Sequence, residues 1–173
     1  MAEVSNSKLF EEIKGIQSVQ DALVVLVKTE WNADIVDELE RGCLKVCEQY
    51  KIQTKKIVVP GAIEIPFAIH QSWNNDNTPS AFIAFGCVVR GGTPHFEYVC
   101  QSITQGITQL NLSLPVPVIF GVLTVDTYEQ ANERIGGSHG HKGEEAAITA
   151  IKMMILNNQL QNGNRESSIE DVL

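Results

Sequence analysis

Phe85-Gly86-Cys87-Val88-Val89-Arg90-Gly91-Gly92-Thr93-Pro94-His95-Phe96-Glu97 carries the chain from an apolar run into a polar turn and on into a helical pattern. The run from Ala81 to Val89 is continuous and apolar, as in a strand buried on both faces of a parallel sheet. After the turn, Val99, Ile103, Ile107 and Leu110 recur at helical spacing. In an open α/β sheet, ligands bind at the carboxyl ends of the strands. Glycines there let backbone N–H groups face an anion, and a following helix N-terminus favours negative charge. A histidine at that place can move protons near neutral pH. Gly91-Gly92 as a plain tight turn and His95 as a helix-start residue are the competing structural readings.

Outward from this segment, the same alternation repeats. Ala22 to Val27 reads as a first buried strand, and Asn32 as the cap of a helix whose Ile35, Leu39, Cys43, Val46 and Tyr50 share a face. Lys56 to Val59 is a second short strand, closed by Pro60-Gly61, with a helix starting near Ile65-Pro66. Val118 to Leu123 is the fourth strand. Thr124 to Thr127 read as a helix cap, Tyr128 to Ile135 as a short helix and Glu144 to Leu156 as a longer one. Gly136 to Gly143 form a glycine-rich loop between these two helices. Alternating strands and helices predict a parallel sheet covered on both faces. The expected fold is a flavodoxin-like three-layer α/β/α sandwich with a central four-stranded parallel sheet. Residues 1–20 read as an N-terminal arm, 21–157 as a single domain, and 158–173 as a polar, fraying tail.

The chain has 173 residues, enough for one domain with a sizeable core. Its formal charge of -8 argues against nucleic acid or an anionic membrane as partner. A local basic cluster for a small anion is still compatible with that charge. No apolar run is long enough to span a bilayer, and Met1 to Ser5 lack the layout of a signal peptide, so a cytoplasmic location is expected. Cys43, Cys47, Cys87 and Cys100 show neither disulfide-framework nor zinc spacing. Cys43 and Cys47, one helical turn apart, suit a core face.

Each strand end carries an unusual residue. Trp31 follows the first strand, as a core plug or as a stacking platform for a planar ligand; taken alone, the plug is favoured. Glu64 follows the second, either complementing a helix dipole or accepting hydrogen bonds from a ligand. Arg134 and Lys142 could bind phosphate or be solvated charge. Gly-x-Gly-x-x-Gly, P-loop and nucleophile-elbow patterns are missing. His139-x-His141 has no evident third ligand, so no metal site is expected. The residues alone reach an α/β domain binding a planar, phosphate-bearing or phosphate-linked small molecule, with His95 for acid–base chemistry.

Several motifs in order then resemble one family. They are Gly61-Ala62-Ile63-Glu64-Ile65-Pro66, Gly86 to Val99, Pro117 to Thr124, Glu129-Gln130-Ala131-x-x-Arg134, and His141-Lys142-Gly143-x-Glu145-Ala146-Ala147. Together they resemble 6,7-dimethyl-8-ribityllumazine synthase, the riboflavin synthase beta-chain family, from about Ala22 to Leu156. The resemblance implies condensation of 5-amino-6-(D-ribitylamino)uracil with 3,4-dihydroxy-2-butanone 4-phosphate: Schiff-base formation, loss of phosphate, then ring closure with loss of water. It implies no cofactor and no metal. It also implies a homo-oligomer, a pentamer with sites between neighbouring subunits, and riboflavin synthase as a further partner.

By the same resemblance, Trp31 stacks on the pyrimidine, and Ala62, Ile63 and Glu64 line the pyrimidine and ribityl part. Cys87, Val88 and Val89 meet the uracil edge, and Gly92 and Thr93 hold the phosphate. His95 transfers protons. Phe120 and Arg134 come from the adjacent subunit, to the pyrimidine and the phosphate. Arg90, Lys142 and Glu145 are supporting contacts. Trp31 stands where phenylalanine is frequent in the family, and His141 where asparagine is common; Ile63 and Cys87 fill variable slots. The compact Gly136 to Gly143 loop implies an icosahedral shell of pentamers. A homologue that binds flavin or builds a shell without catalysis is the alternative; another flavodoxin-like phosphate binder is a third reading.

Overall fold

The computed structural model describes residues 8–170, and residues 163–170 by their backbone alone. Four parallel strands form the central sheet: β1 (Leu23–Thr29), β2 (Gln53–Val59), β3 (Ala81–Val89) and β4 (Val118–Val125), in the order β2-β1-β3-β4. The helices are α1 (Ala33–Gln49), α2 (Ile65–Asn75), α3 (His95–Ser113), α4 (Tyr128–Asn132) and α5 (Lys142–Glu170). This is the expected three-layer α/β/α arrangement.

Strand periodicity sorts the core into two halves. Val24 and Leu26 of β1 with Ile83 and Phe85 of β3 pack against Ile35, Leu39 and Cys43 of α1 and Ile151 and Met154 of α5. On the other face, Val25, Val27, Phe82 and Ala84 meet Ile65 and Ile69 of α2 and Ile103 and Ile107 of α3. The central strands are buried on both sides, which is why they read as unbroken apolar runs. Edge strand β2 is largely exposed and carries Lys55 and Lys56, charges that discourage further strand pairing. Lys28 of β1 is buried and bonded to Asp37 and Glu40 of α1, and Lys56 reaches Glu40 at 3.0 Å. Burial works against the Lys28 ammonium, yet the hydrogen bonds to Asp37 and Glu40 outweigh it and raise its pKa.

Several expectations need correction. The glycine-rich loop holds a small antiparallel hairpin, β5 (Ile135–Gly137) and β6 (Gly140–His141), turned by left-handed Gly136 and Gly140. The preceding helix accordingly stops at Asn132 instead of Ile135. Lys142 is the first residue of α5, and that helix continues through Glu170, past the expected end at Leu156. No proline interrupts this polar stretch. Of the N-terminal arm, residues 1–7 lie outside the described residues, as do residues 171–173 of the tail. The arm's Leu9, Ile13 and Ile16 pack on the core, and Val19 is buried. Asn32 holds the N-cap position of α1, but its side chain makes no capping bond.

Candidate active site

The chain leaves β1 for β2 in one direction and reaches β3 on the other side, so the strand order reverses between β1 and β3. At the carboxyl ends of these two strands, the crevice expected at such a switch point is present. It is a groove of about 400 Å³ lined by Thr29, Trp31, Asn32, Gly61 to Glu64, Cys87 to Val89, His95 and Val99. Another cavity, of about 440 Å³, lies at the opposite sheet end, between Ser18, Trp73, Ser80 and Asn157. The switch-point rule favours the first.

Four short segments build the groove. The first is the end of β1, where Trp31 is 74% exposed. This overturns the core-plug reading: the indole lines the groove and contributes little to the core. The second is the single 3-10 turn Ala62–Glu64, which leads into α2 with Pro66 in its first turn. Ile63 and Glu64 are exposed there, and Ala62 is half-buried. The third is the end of β3. Cys87 is buried, and Val88 and Val89 are half-buried. Burial, then the nearby Asp34 charge, pushes the Cys87 thiol up to about 11. It stays protonated at neutral pH and offers no thiolate nucleophile. The fourth is the start of α3, where His95 is exposed.

The Gly91 to Thr93 turn joins the last two segments. Its N–H groups make no hydrogen bond among the described residues. Beta carbons placed on Gly91 or Gly92 would meet open space. The turn precedes a 19-residue helix, so its amides and the helix dipole favour an anion at the same spot. Arg90 is committed elsewhere. It bonds Asp126 at 2.6 Å, pairs with Glu97, and lies 4.1 Å from the centre of the Phe96 ring. Hydrogen bonds to Glu97 and Asp126 raise the Arg90 pKa, and the one to Arg90 lowers that of Glu97. Arg90 thus braces the turn from outside the groove.

Asn32 was unforeseen as part of the site. It sits in the left-handed region at φ 55°, which asparagine tolerates. Its Nδ2 donates to the Cys87 carbonyl at 2.7 Å, across 55 positions of sequence, and its Oδ1 accepts from the Tyr128 hydroxyl at 2.7 Å. One side chain therefore ties the ends of β1 and β3 to α4. Its only sequence signal is a polar residue in the turn after a strand end.

The remaining residues lie away from the groove. Phe120 pairs in register with Ala84, three positions before the Leu123–Cys87 pair, which puts it about 10 Å back along the sheet. Arg134 is half-buried just past the end of α4, its guanidinium donating to the Gln130 carbonyl at 2.6 Å. Lys142 and Glu145 bond each other at 2.7 Å, and are only 3% and 5% exposed. They hold the start of α5 and do not face the groove. His139 approaches Glu133, whereas His141 approaches Glu38, so the two imidazoles face different partners. Among the described residues, no lysine or arginine lines the groove.

The fold and the groove define an open, doubly wound α/β protein with a groove at its switch point. The sequence model of the family described as 6,7-dimethyl-8-ribityllumazine synthase matches residues 21–158. The 6,7-dimethyl-8-ribityllumazine synthase of Porphyromonas gingivalis is 47% identical over 137 residues, covering 78% of this chain and 84% of the relative. Those of Parabacteroides distasonis and Bacteroides fragilis are 42% and 45% identical, covering 83% and 75% of this chain and 91% and 92% of the relatives. The chain belongs to the 6,7-dimethyl-8-ribityllumazine synthase family.

Proposed function

We propose that this chain is a transferase that makes 6,7-dimethyl-8-ribityllumazine in riboflavin biosynthesis, from 5-amino-6-(D-ribitylamino)uracil and 3,4-dihydroxy-2-butanone 4-phosphate. The observation that carries the reading is the groove itself, where a flat exposed indole, a carboxylate, strand-end backbone and a histidine converge beside free amides at a helix start. Trp31 stacks on the pyrimidine, and Ala62, Ile63 and Glu64 line the ring and its ribityl chain, Glu64 accepting hydroxyl or N–H bonds. Backbone groups of Cys87, Val88 and Val89 read the uracil edge. The amides of Gly92 and Thr93 cradle the phosphate.

The pyrimidine amine attacks the butanone carbonyl to form a Schiff base, with loss of water. Elimination then breaks the C–O bond to phosphate, whose departing charge the Gly92-Thr93 amides stabilise. Elimination leaves an enol, which tautomerises to a new ketone; the second pyrimidine nitrogen closes the ring onto that carbonyl, with loss of a second water. His95 carries protons between these forms. Holding both substrates together supplies much of the rate.

Among the described residues the groove holds no lysine or arginine. The family resemblance gives Arg134 and Phe120 to the site of a neighbouring copy, Arg134 gripping phosphate and Phe120 covering the pyrimidine. Ile63, Phe67 and Tyr98 on or beside α2 and α3 are exposed and apolar, which suits burial against that copy. The assembly is a pentamer and, with the compact hairpin in place of an insertion, a shell of pentamers. It works in the cytoplasm, with riboflavin synthase as a further partner that consumes its product.

The test is a two-substrate assay on the folded oligomer without added metal. Formation of the fluorescent lumazine, with phosphate released one for one, is expected. Tight flavin binding with no lumazine formed would instead favour a non-catalytic homologue. Sedimentation tests the assembly, and a free pentamer at neutral pH would remove the shell.

A further inference from the structure

His141 occupies a place that the reaction does not call on. It lies in β6, opposite Ile135 of β5, and its side chain is 12% exposed. The imidazole rests on Gly42 of α1, so close that a beta carbon at Gly42 would fall 2.1 Å from Cε1 and 2.5 Å from Nδ1. Next to it, a beta carbon at Gly143 would fall 2.0 Å from the Leu39 carbonyl oxygen. Two glycines, one on each side of the seam, therefore let the hairpin and the start of α5 dock directly onto α1.

The ring is also bonded there. A carboxylate can only accept, so His141 Nε2 donates to Glu38 Oε1, at 3.3 Å. Arg41 holds the same carboxylate through two N–H groups. The hydrogen bond from Arg41 first, then the one from His141, keeps the Glu38 carboxyl below its ordinary pKa and ionised at neutral pH. The anchor is coupled to Arg134 by the backbone. The Lys142 N–H, one residue after His141, donates to the Arg134 carbonyl at 2.8 Å, and Ile135, one residue after Arg134, pairs with His141.

We propose that His141 is a positioning residue for the phosphate-binding Arg134: its ring, keyed into the Gly42 notch and bonded to Glu38, fixes the hairpin that sets where the guanidinium points. This rests on the assignment of Arg134 to phosphate. His141 touches neither substrate. It acts through the hairpin, and Gly42 is its partner in the key.

The experiment measures KM for each substrate separately in the whole oligomer, for His141→Ala, Gly42→Ala, the double variant and Arg134→Ala. A misdirected charged hydrogen bond should raise KM for the butanone phosphate by about tenfold in His141→Ala, while KM for the pyrimidine stays within about twofold. Gly42→Ala, which leaves the imidazole intact but fills its seat, should show the same split. The double variant should be no worse than His141→Ala, because the added methyl then meets no ring. Equal rises for both substrates, or additive losses in the double variant, would overturn the proposal. Should His141→Ala not fold, Gly42→Ala alone carries the same split. A rise in Arg134→Ala with none in His141→Ala or Gly42→Ala sinks the anchor and spares the phosphate role. No rise in Arg134→Ala sinks both.

Discussion

The groove between β1 and β3 and the hairpin beside α4 meet through the Tyr128–Asn32 bond, yet they are built in opposite ways. In the groove, the side chains assigned to chemistry are spare to the fold: Trp31 is 74% exposed, and Glu64 and His95 are exposed as well. Around the hairpin, Lys142 and Glu145 are sealed into a buried pair, His141 is keyed into α1, and Arg134 is bonded to the Gln130 carbonyl of α4. Groove residues are free to be optimised for a ligand. Hairpin residues hold the structure that presents one cation. Under the proposed function, a phosphate-eliminating site with its pyrimidine half in the groove and its cation on the hairpin is divided between copies of the chain.

This contrast predicts where stability and activity separate. The largest effect is expected on the hairpin side. Glu145→Ala leaves the Lys142 ammonium buried and unpaired, and should cost about 3–5 kcal/mol of folding stability. Urea unfolding measures it, and a loss under about 1 kcal/mol would mean that the pair is solvated, as surface pairs are. His95→Ala should leave stability unchanged and lower kcat by about a hundredfold, the usual lower bound for a lost proton carrier. Its pH–rate profile should change, and an unaltered profile would remove His95 from that role.

Smaller effects follow on each side. Trp31→Ala should weaken pyrimidine binding by about 1 kcal/mol, read as a rise in its KM, without lowering the melting temperature. A fall in melting temperature would restore the core-plug reading. The weakest effect concerns Glu38, whose pKa lies below its ordinary value of 4.5 in the folded chain. A lowered carboxyl adds stability that is fully present above the unfolded pKa and is lost as pH falls through the folded one. Glu38→Gln should therefore flatten the stability curve below about pH 4.5 and leave the neutral range parallel to the parent; an unchanged acid limb would count against the Arg41–Glu38–His141 cluster.

Local signals explain what was legible in the sequence. β3, its turn and α3 can be read because a doubly buried strand is apolar throughout and the breakers follow it at once. Thr127 is legible as a cap for the same reason, and its side chain accepts from the Gln130 N–H. The hairpin reads as loop in the sequence because its strands span three and two residues, too short for any periodicity. Asn32 and His141 act across 55 and 103 positions of sequence, where local pattern carries no information. Gly42 sits in the middle of a helix, where it costs stability relative to alanine. The imidazole laid against it gives that glycine a reason.

The division of the site between copies is tested most directly by mixing. His95→Ala and Arg134→Ala chains, each impaired alone, are unfolded, combined in equal amounts and refolded into one assembly. If each site takes His95 from one chain and Arg134 from its neighbour, about a quarter of the sites carry neither substitution, and the mixed assembly should far exceed the mean rate of the two parents. A mixed rate equal to that mean, in an assembly shown to contain both chains, would place both residues in one subunit's site and contradict the account.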